Sequence, residues 1–212
     1  MIKKIFLIGI SGGTCSGKTY LANSLVEHFG ENLIDIIKVD SYYHDLSHLE
    51  MKKREKNNFD HPNSFDLKLL HSDLSKLINN NKINIPLYNY KTHTRKKETK
   101  KIDSNKIIII EGIYSLYDKD IIDLIDLKVF LDKPNSLRKK IRLSRDTKQR
   151  ARTNESIKLQ YSKTVQPMYL KFVNKTKRVA DIIIKEDNMV NSNAFTILCK
   201  EIKQILKQNA NS

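Results

Sequence analysis

Residues 12–19 have the types and the spacing of a phosphate-binding loop, Gly-x-x-x-x-Gly-Lys-Thr. Glycine permits a tight backbone in which successive N–H groups point inward and form a cradle for an anion. Lys18 can then reach the β- and γ-phosphates of a nucleoside triphosphate, and the hydroxyl of Thr19 can bind Mg²⁺. The residues predicted to bind the phosphate donor are Gly12, Gly13, Thr14, Cys15, Ser16, Gly17, Lys18 and Thr19.

Two carboxylates follow apolar runs that are typical of buried strands. Asp40 comes directly after residues 33–39, and Glu111 follows four consecutive isoleucines. In an open α/β sheet, ligands gather at the carboxyl ends of the strands. Asp40 could therefore meet the γ-phosphate and an acceptor hydroxyl, or it could be an ordinary residue that ends a strand; spacing alone leaves both open. Glu111 is well placed to organise Mg²⁺ and its waters.

A basic stretch over residues 134–150 offers cations for a migrating phosphate. Arg142 and Arg145 are three residues apart and share a helix face, and Arg150 and Arg152 follow closely. Arginine supplies the planar, bidentate donors that phosphoryl transfer needs. The alternative is a solvated helix face.

The elements that must position these residues follow from the apolar pattern. Residues 4–10 predict a strand before the phosphate loop, and the spacing of the leucines after it predicts a helix that starts near Gly17. Further strands are predicted over residues 128–132 and 181–184, with helices over 67–78 and about 193–207. Alternating apolar residues and Pro86 predict that residues 83–102 form a hairpin outside the main sheet.

The composition fits one α/β domain of 212 residues with a formal net charge of +15. The charge suggests either contacts with nucleic acid or a lysine-rich composition around a site for anionic nucleotides. We favour the second, because no RNA-binding signature accompanies the charge. Two cysteines, Cys15 and Cys199, are too few for a disulfide framework. Residues 1–10 resemble the start of a secretory signal, but they lead directly into the phosphate loop, so we expect a cytoplasmic protein without a membrane span.

Further motifs run in the order of a known family from about residue 5 to residue 184. Besides the phosphate loop they are Asp40-Ser41-Tyr42-Tyr43, Asn58-Phe59-Asp60-His61-Pro62, residues 86–95, Glu111-Gly112-Ile113, residues 142–146, Arg150-Ala151-Arg152, Gln160-Tyr161, residues 164–167 and Ala180-Asp181-Ile182-Ile183. The chain resembles the uridine kinases (uridine–cytidine kinases), within the phosphoribulokinase/uridine kinase group of P-loop kinases. The segments at residues 58–62 and 88–95 are specific to nucleoside acceptors, unlike the generic phosphate loop.

The resemblance implies roles on the acceptor side. Asp40 is similar to the base that accepts the proton of the nucleoside 5′-hydroxyl, and it would share the Mg²⁺ site with Thr19 and Glu111. Asp60 is similar to the carboxylate that binds the ribose hydroxyls and favours ribonucleosides. Tyr88 and His93 would form hydrogen bonds with the edge of the pyrimidine. The faces of the pyrimidine would pack against Phe59, Tyr43 and Tyr90.

The resemblance also implies a lid. Arg142, Arg152 and Gln160 are similar to further nucleoside contacts, while Arg145 and Arg150 are similar to phosphate-side catalytic residues that act with Lys18. The chain departs from the family in three places: Ala151 stands where glycine is usual, Tyr114 where leucine is usual, and residues 185–188 replace a Pro-Arg-Gly segment near the donor base. Asp187 in that segment is a candidate donor-side contact.

Together these motifs imply a P-loop kinase-type three-layer α/β fold, with a mostly parallel five-stranded sheet and a β-hairpin over the acceptor site. The expected protein is one nucleoside kinase domain over residues 1–212, with a hairpin insertion at about 83–102, a lid at about 142–153, and a homotetrameric assembly. The expected reaction transfers a phosphoryl group from ATP or GTP to uridine or cytidine, giving UMP or CMP for pyrimidine salvage. The alternatives are a kinase of another small alcohol, such as ribulose 5-phosphate, and a nucleic-acid-binding NTPase. The aromatic residues at 88–93 argue against a sugar phosphate, which would need cations there.

Overall fold

The computed structural model describes residues 5–103, 107–150, 152–185 and 193–210, and side chains up to residue 207 except those of residues 193 and 194. Its strands are β1 (Phe6–Gly12), β2 (Ile34–Lys38), β3 (Ile83–Asn89), β4 (Thr94–Ile102), β5 (Ile107–Glu111), β6 (Leu127–Leu131) and β7 (Ile182–Ile184). Its α-helices are α1 (Lys18–Phe29), α2 (Met51–Arg54), α3 (Leu67–Ile78), α4 (Lys119–Leu124), α5 (Asn135–Arg150), α6 (Asn154–Gln160), α7 (Gln166–Lys171) and α8 (Asn193–Ala210).

Five strands form a parallel sheet in the order β2-β5-β1-β6-β7. The four isoleucines of β5 are fully buried because this strand lies between β2 and β1 and is covered on both faces. Ile108 and Ile110 join the hydrophobic core on one face, whereas Ile107 and Ile109 join the core on the other. The predicted three-layer α/β fold with a parallel five-stranded sheet is therefore confirmed.

β3 and β4 form a separate antiparallel hairpin that takes no part in the main sheet. The pairing shifts register between Pro86 and Tyr88, which is consistent with proline being unable to donate to a ladder. Ile83, Ile85 and Ile102 anchor the base of the hairpin in the core beneath it. The predicted hairpin outside the main sheet is confirmed.

Two short irregular turns place residues of the site. The chain leaves β2 at Lys38 and forms a 3₁₀ turn over Val39–Tyr42, so the strand predicted over residues 33–39 is shorter than expected and Asp40 lies on the turn. Between α6 and α7 the helix widens into a π-helical segment over Tyr161–Val165. Within the ranges given above, no helix combines the length and the apolar character needed to cross a membrane.

Candidate active site

The phosphate loop connects β1 to α1. Gly12 and Gly17 adopt φ values of +143° and +103°, which side chains with a Cβ rarely adopt, so glycine is needed at both positions. The ammonium of buried Lys18 donates to the carbonyl oxygens of Gly12 and Gly13, each at 2.9 Å. Burial lowers the pKa of Lys18, while the charges of Glu111 and Asp40 oppose that shift. The loop thus holds a cation and several N–H groups at the start of a helix.

The interior of the loop is shaped for an anion. A Cβ added at Gly13 would lie 2.8 Å from Cζ of Arg138, so a larger residue would displace this buried guanidinium. The hydroxyl of Ser16 is buried without a hydrogen-bond partner among the residues that the structure describes. A glycine packed against a buried guanidinium, an unsatisfied hydroxyl and a cation fit the phosphates of a nucleotide.

Oxygen ligands gather beside the loop. The Thr19 hydroxyl donates to Oε1 of Glu111 at 2.9 Å, and Glu111 ends β5, whose neighbour β2 leads to Asp40. Burial raises the pKa of Asp40 to about 6, the negative charge of Glu111 adds to this, and the charge of Lys18 opposes it. In the described parts of the chain, no group of three or more His, Cys, Asp or Glu residues could hold a metal ion by itself. This is compatible with Mg²⁺, which usually keeps several waters and binds substrate phosphates with one or two carboxylates.

Asp60 is held by hydrogen bonds through its side chain and its backbone. Its carboxylate accepts a 2.8 Å hydrogen bond from the hydroxyl of Thr164, which lies on the π-helical segment. Its backbone N–H donates to Oδ1 of Asn58 at 3.1 Å. Burial raises the pKa of Asp60, and the charge of Arg142 opposes the shift. The carboxylate is therefore held in a fixed orientation beside a cation.

Aromatic side chains from three segments meet next to Asp60. The rings of Phe59 and His93 stack at 4.4 Å between centroids, and Tyr43 contacts Tyr88 at 5.0 Å. The Tyr43 hydroxyl donates to the carbonyl oxygen of Phe59. Tyr90 contacts Tyr88 at 5.5 Å and remains about half exposed. These rings form an apolar wall on which a planar base can pack.

Polar groups interrupt this wall. The Tyr88 hydroxyl is buried and has no hydrogen-bond partner within the described chain. Burial lowers the pKa of His93, so its imidazole is neutral near pH 7 and offers one donor and one acceptor. An unsatisfied hydroxyl and a neutral imidazole can hydrogen-bond the edge of a base.

One carboxylate is the shared partner of four arginines from α5 and the segment after it. Asp146 is fully buried and lies 2.8 Å from Arg145, 3.4 Å from Arg142, 3.7 Å from Arg150 and 3.8 Å from Arg152. The Arg142 and Arg152 side chains differ from the other two because both also donate to the side-chain oxygen of Gln160.

Arg142 connects the two ends of the site. Its guanidinium donates to the Thr14 hydroxyl at 3.1 Å on one side and to Gln160 at 3.1 Å on the other. Arg142 is buried, whereas the Arg145 and Arg150 side chains are 30% and 45% exposed. Arg142 and Arg152 are also bonded to Gln160, so Arg145 and Arg150 have more freedom to move toward a bound phosphate.

One cleft of about 1050 Å³ joins these groups. The predicted site residues that line it are Thr14, Asp40, Tyr43, Phe59, Asp60, Tyr88, Tyr90, His93, Arg142, Arg145, Arg150, Arg152 and Gln160. The rest of the phosphate loop and Glu111 adjoin it through Thr14 and Asp40 and do not line it. Asp187 and Ala151 lie outside the described residues. Cys15 is half-buried in the loop, with φ at +58°.

Sequence reasoning did not identify Arg138, Asp146 or Thr164 as residues of the site. Arg138 and Asp146 share a face of α5 with Arg142, since the three are four residues apart in turn, and this spacing was the available signal. Thr164 contacts Asp60 across 104 residues of sequence, and no local pattern indicates that contact.

Comparisons with known proteins identify the family of the chain. Residues 7–192 match the family model described as "Phosphoribulokinase / Uridine kinase family". The chain is 46% identical over 203 residues to the protein named uridine kinase of Clostridium novyi (strain NT), covering 96% of this chain and 97% of that protein. It is 42% identical over 209 residues to the uridine kinase of Clostridium tetani (strain Massachusetts / E88), covering 99% and 100%.

Solved structures share the fold at low sequence identity. A putative fructose transport system kinase from Silicibacter sp. TM1040 aligns with a TM-score of 0.70 at 18% identity, over 85% of this chain and 89% of that one. Phosphoribulokinase from Rhodobacter spheroides aligns with a TM-score of 0.64 at 16% identity, over 91% and 74%. These similarities establish the P-loop kinase fold.

Proposed function

Because the chain belongs to the phosphoribulokinase/uridine kinase family, we propose that it transfers a phosphoryl group from ATP or GTP to the 5′-hydroxyl of uridine or cytidine. The product is UMP or CMP, as pyrimidine salvage requires. The observation that carries the proposal is the single cleft lined by Thr14 of the phosphate loop, by Asp40 and by the aromatic residues around Asp60. Relatives named uridine kinase, which align over nearly the whole chain, support it.

On the donor side, the proposed work of the protein is alignment and charge neutralisation, because phosphoryl transfer needs little covalent help. Lys18 would exchange its bonds to Gly12 and Gly13 for contacts with the β- and γ-phosphates. Arg145 and Arg150 would turn from Asp146 toward the migrating group. Asp187 remains a proposed contact of the donor base.

Asp40 is the proposed base that accepts the proton of the 5′-hydroxyl, a role worth about 10²- to 10⁴-fold in rate. Thr19, Glu111 and Asp40 offer only oxygen ligands, which suits Mg²⁺. When bound there with the nucleotide, Mg²⁺ would supply positive charge next to the phosphate oxygens. Glu111 would meanwhile keep the Thr19 hydroxyl oriented through their hydrogen bond.

On the acceptor side, Asp60 would bind the ribose hydroxyls, and its fixed carboxylate favours an acceptor that carries both of them. The Tyr88 hydroxyl and His93 would bind the edge of the pyrimidine, while Phe59, Tyr43 and Tyr90 pack against it. The remaining proposed nucleoside contacts are Arg142, Arg152 and Gln160.

An assay of nucleoside diphosphate release tests the proposal with each acceptor and each donor. We expect turnover with uridine or cytidine, no turnover with ribulose 5-phosphate, and no stimulation by single-stranded RNA. Lys18→Ala should abolish turnover and is the negative control against contaminating kinases. Turnover confined to ribulose 5-phosphate, or hydrolysis that requires RNA, would overturn the proposal.

The proposed assembly is one cytoplasmic kinase domain per chain, with the hairpin at residues 83–102, a lid at about 142–153, and a homotetramer as the family resemblance implies. Light scattering coupled to size-exclusion chromatography measures the mass in solution directly. A monomer at micromolar concentration would contradict the assembly without affecting the proposed reaction.

A further inference from the structure

Tyr114 makes a contact with Asp60 that plays no part in the proposed function described above. Its side chain is fully buried, and its hydroxyl donates a 2.5 Å hydrogen bond to the backbone carbonyl oxygen of Asp60, 54 residues earlier in the chain. An apolar side chain at this position would offer no hydrogen-bond donor. The contact therefore depends on the residue that this chain carries.

The bond to Tyr114 completes the fixation of Asp60. The N–H of Asp60 is held by Asn58 and its carboxylate by Thr164, so Tyr114 restrains the one remaining polar group, the carbonyl. The Tyr114 ring packs edge-on against Phe65 at 5.2 Å and Tyr117 at 5.1 Å, so the hydroxyl itself has little freedom.

Tyr114 belongs to a segment that is fixed relative to the phosphate loop. It follows Glu111, at the end of β5, by three residues. The neighbouring carbonyl of Ile113 accepts a hydrogen bond from the hydroxyl of Ser11, which lies on β1 just before the loop. A short path of bonds therefore runs from the phosphate loop through residues 113 and 114 to Asp60.

We propose that Tyr114 is a positioning residue that holds Asp60, and through it the ribose of the acceptor, at a fixed distance from the phosphate loop. The inference rests on the proposed function, because it takes Asp60 to be the ribose-binding group. An acceptor hydroxyl must lie close to and in line with the migrating phosphorus, so a looser Asp60 lowers both affinity and alignment. The chain would thus obtain part of its preference for ribonucleosides from a residue that does not touch the nucleoside.

The test replaces one hydroxyl. Tyr114→Phe keeps the ring and its packing but removes the donor to Asp60. Tyr42→Phe is the control, because Tyr42 is equally buried, does not line the cleft, and its hydroxyl donates to Oδ2 of Asp73 at 3.0 Å. Both variants lose one buried hydrogen bond, and Tyr42→Phe should lose at least as much stability in a thermal melt, because its bond is to a charged group.

For Tyr114→Phe we expect the Kd of uridine, measured by calorimetry without nucleotide, to rise about three- to tenfold. The KM of ATP should stay within twofold of the unaltered value. The preference for uridine over 2′-deoxyuridine in kcat/KM should fall by a similar factor, because only the ribonucleoside uses the full contact with Asp60. Tyr42→Phe should leave the uridine Kd and this preference unchanged.

Two results would overturn the inference while leaving the proposed function in place. One is a Tyr114→Phe protein whose uridine Kd and ribose preference both match those of the unaltered protein. The other is an equal change in Tyr42→Phe, which would mean that any buried hydroxyl has the same effect through stability. Failure of the proposed function itself would appear in the unaltered protein, as no binding or phosphorylation of uridine or cytidine, and it would overturn both.

Discussion

Asp40 is subject to two opposing demands. As the proposed base it must be ionised before it can accept the proton of the acceptor hydroxyl. Burial and the nearby Glu111 favour its protonated form and raise its pKa to about 6. Its neighbour Lys18 opposes that shift and keeps the carboxylate ionised near neutral pH.

The first prediction concerns the chemical step. Asp40→Asn should lower kcat by about 10²- to 10⁴-fold, because the amide cannot accept the proton, while the Kd of uridine changes little. In the unaltered protein, kcat/KM should fall as the pH drops through about 6, where Asp40 of the free protein becomes protonated. Steady-state kinetics from pH 5 to pH 9 measure both effects. Near-normal turnover of the variant would refute the assignment of Asp40 as the base.

The second prediction concerns the stability of the protein without nucleotide or metal. The pKa of Asp40 is higher in the folded state than the ordinary 3.8, so the ionised carboxylate opposes folding above about pH 6 and this cost vanishes below about pH 4. The cost corresponds to at most about 3 kcal/mol. In urea titrations with a chelator, Asp40→Asn should therefore be more stable than the unaltered protein at pH 8. The gain should be absent at pH 4; an equal gain at both values would contradict the sign of this pKa shift.

At the scale of elements, the packing of the arginines on α5 depends on the carboxylate of Asp146. This one buried carboxylate is the shared partner of four arginines from the helix and the segment after it. Without this carboxylate, the positive charges of the four arginines would repel one another in a partly buried environment. The buried Asp146 carboxylate therefore stabilises the arrangement of these four arginines.

The third prediction follows from that arrangement. Asp146→Asn should lower the free energy of unfolding by about 3 kcal/mol, since it leaves buried arginine uncompensated. It should also raise the KM of both substrates, because Arg142 contacts Thr14 and Gln160. Asp123→Asn is the matched control, since Asp123 pairs with Lys119 on the surface of α4 and should contribute less than about 1 kcal/mol. Similar losses in the two variants would show that burial of Asp146 has no special effect.

The elements were predictable where the residues that determine them lie close together in the sequence. Each of these elements is predicted by a pattern within about ten residues of sequence. Glycine spacing predicts the phosphate loop, the isoleucine run predicts β5, and Pro86 with alternating apolar residues predicts the hairpin. Contacts between distant segments were not predictable, because periodicity indicates which face a residue occupies and not what that face meets. Arg138 beneath Gly13 and Thr164 beside Asp60 both depend on how separate elements pack.

At the scale of the molecule, the charge of +15 bears on the two substrates unequally. A nucleoside triphosphate is strongly anionic, whereas uridine is neutral. The cleft is lined by Lys91 and Lys96 in addition to its arginines, so cations predominate around it. The field of the whole protein should then attract one substrate only.

The fourth prediction is a difference in salt dependence. Between 50 and 400 mM NaCl the KM of ATP should rise several-fold, because the Debye length falls from about 14 Å to about 5 Å over this range. The KM of uridine should change by less than about twofold, and it serves as the internal control. Equal increases in the two constants would indicate a general effect of salt on the fold rather than attraction of the donor.

The π-helical segment over Tyr161–Val165 has a further consequence for how this chain can vary in length. A π turn contains one residue more than the α turn it replaces, so it takes up an extra residue locally while the helix on either side keeps its facing. Deleting one residue here would close the segment into an α turn and leave Gln160 and Thr164, which hold the arginines and Asp60 respectively, on the same side. The same deletion inside α5 would turn every later position by about 100° relative to the earlier ones. Deletion of the exposed Lys163 should therefore be tolerated better than deletion of an exposed residue of α5 such as Lys139.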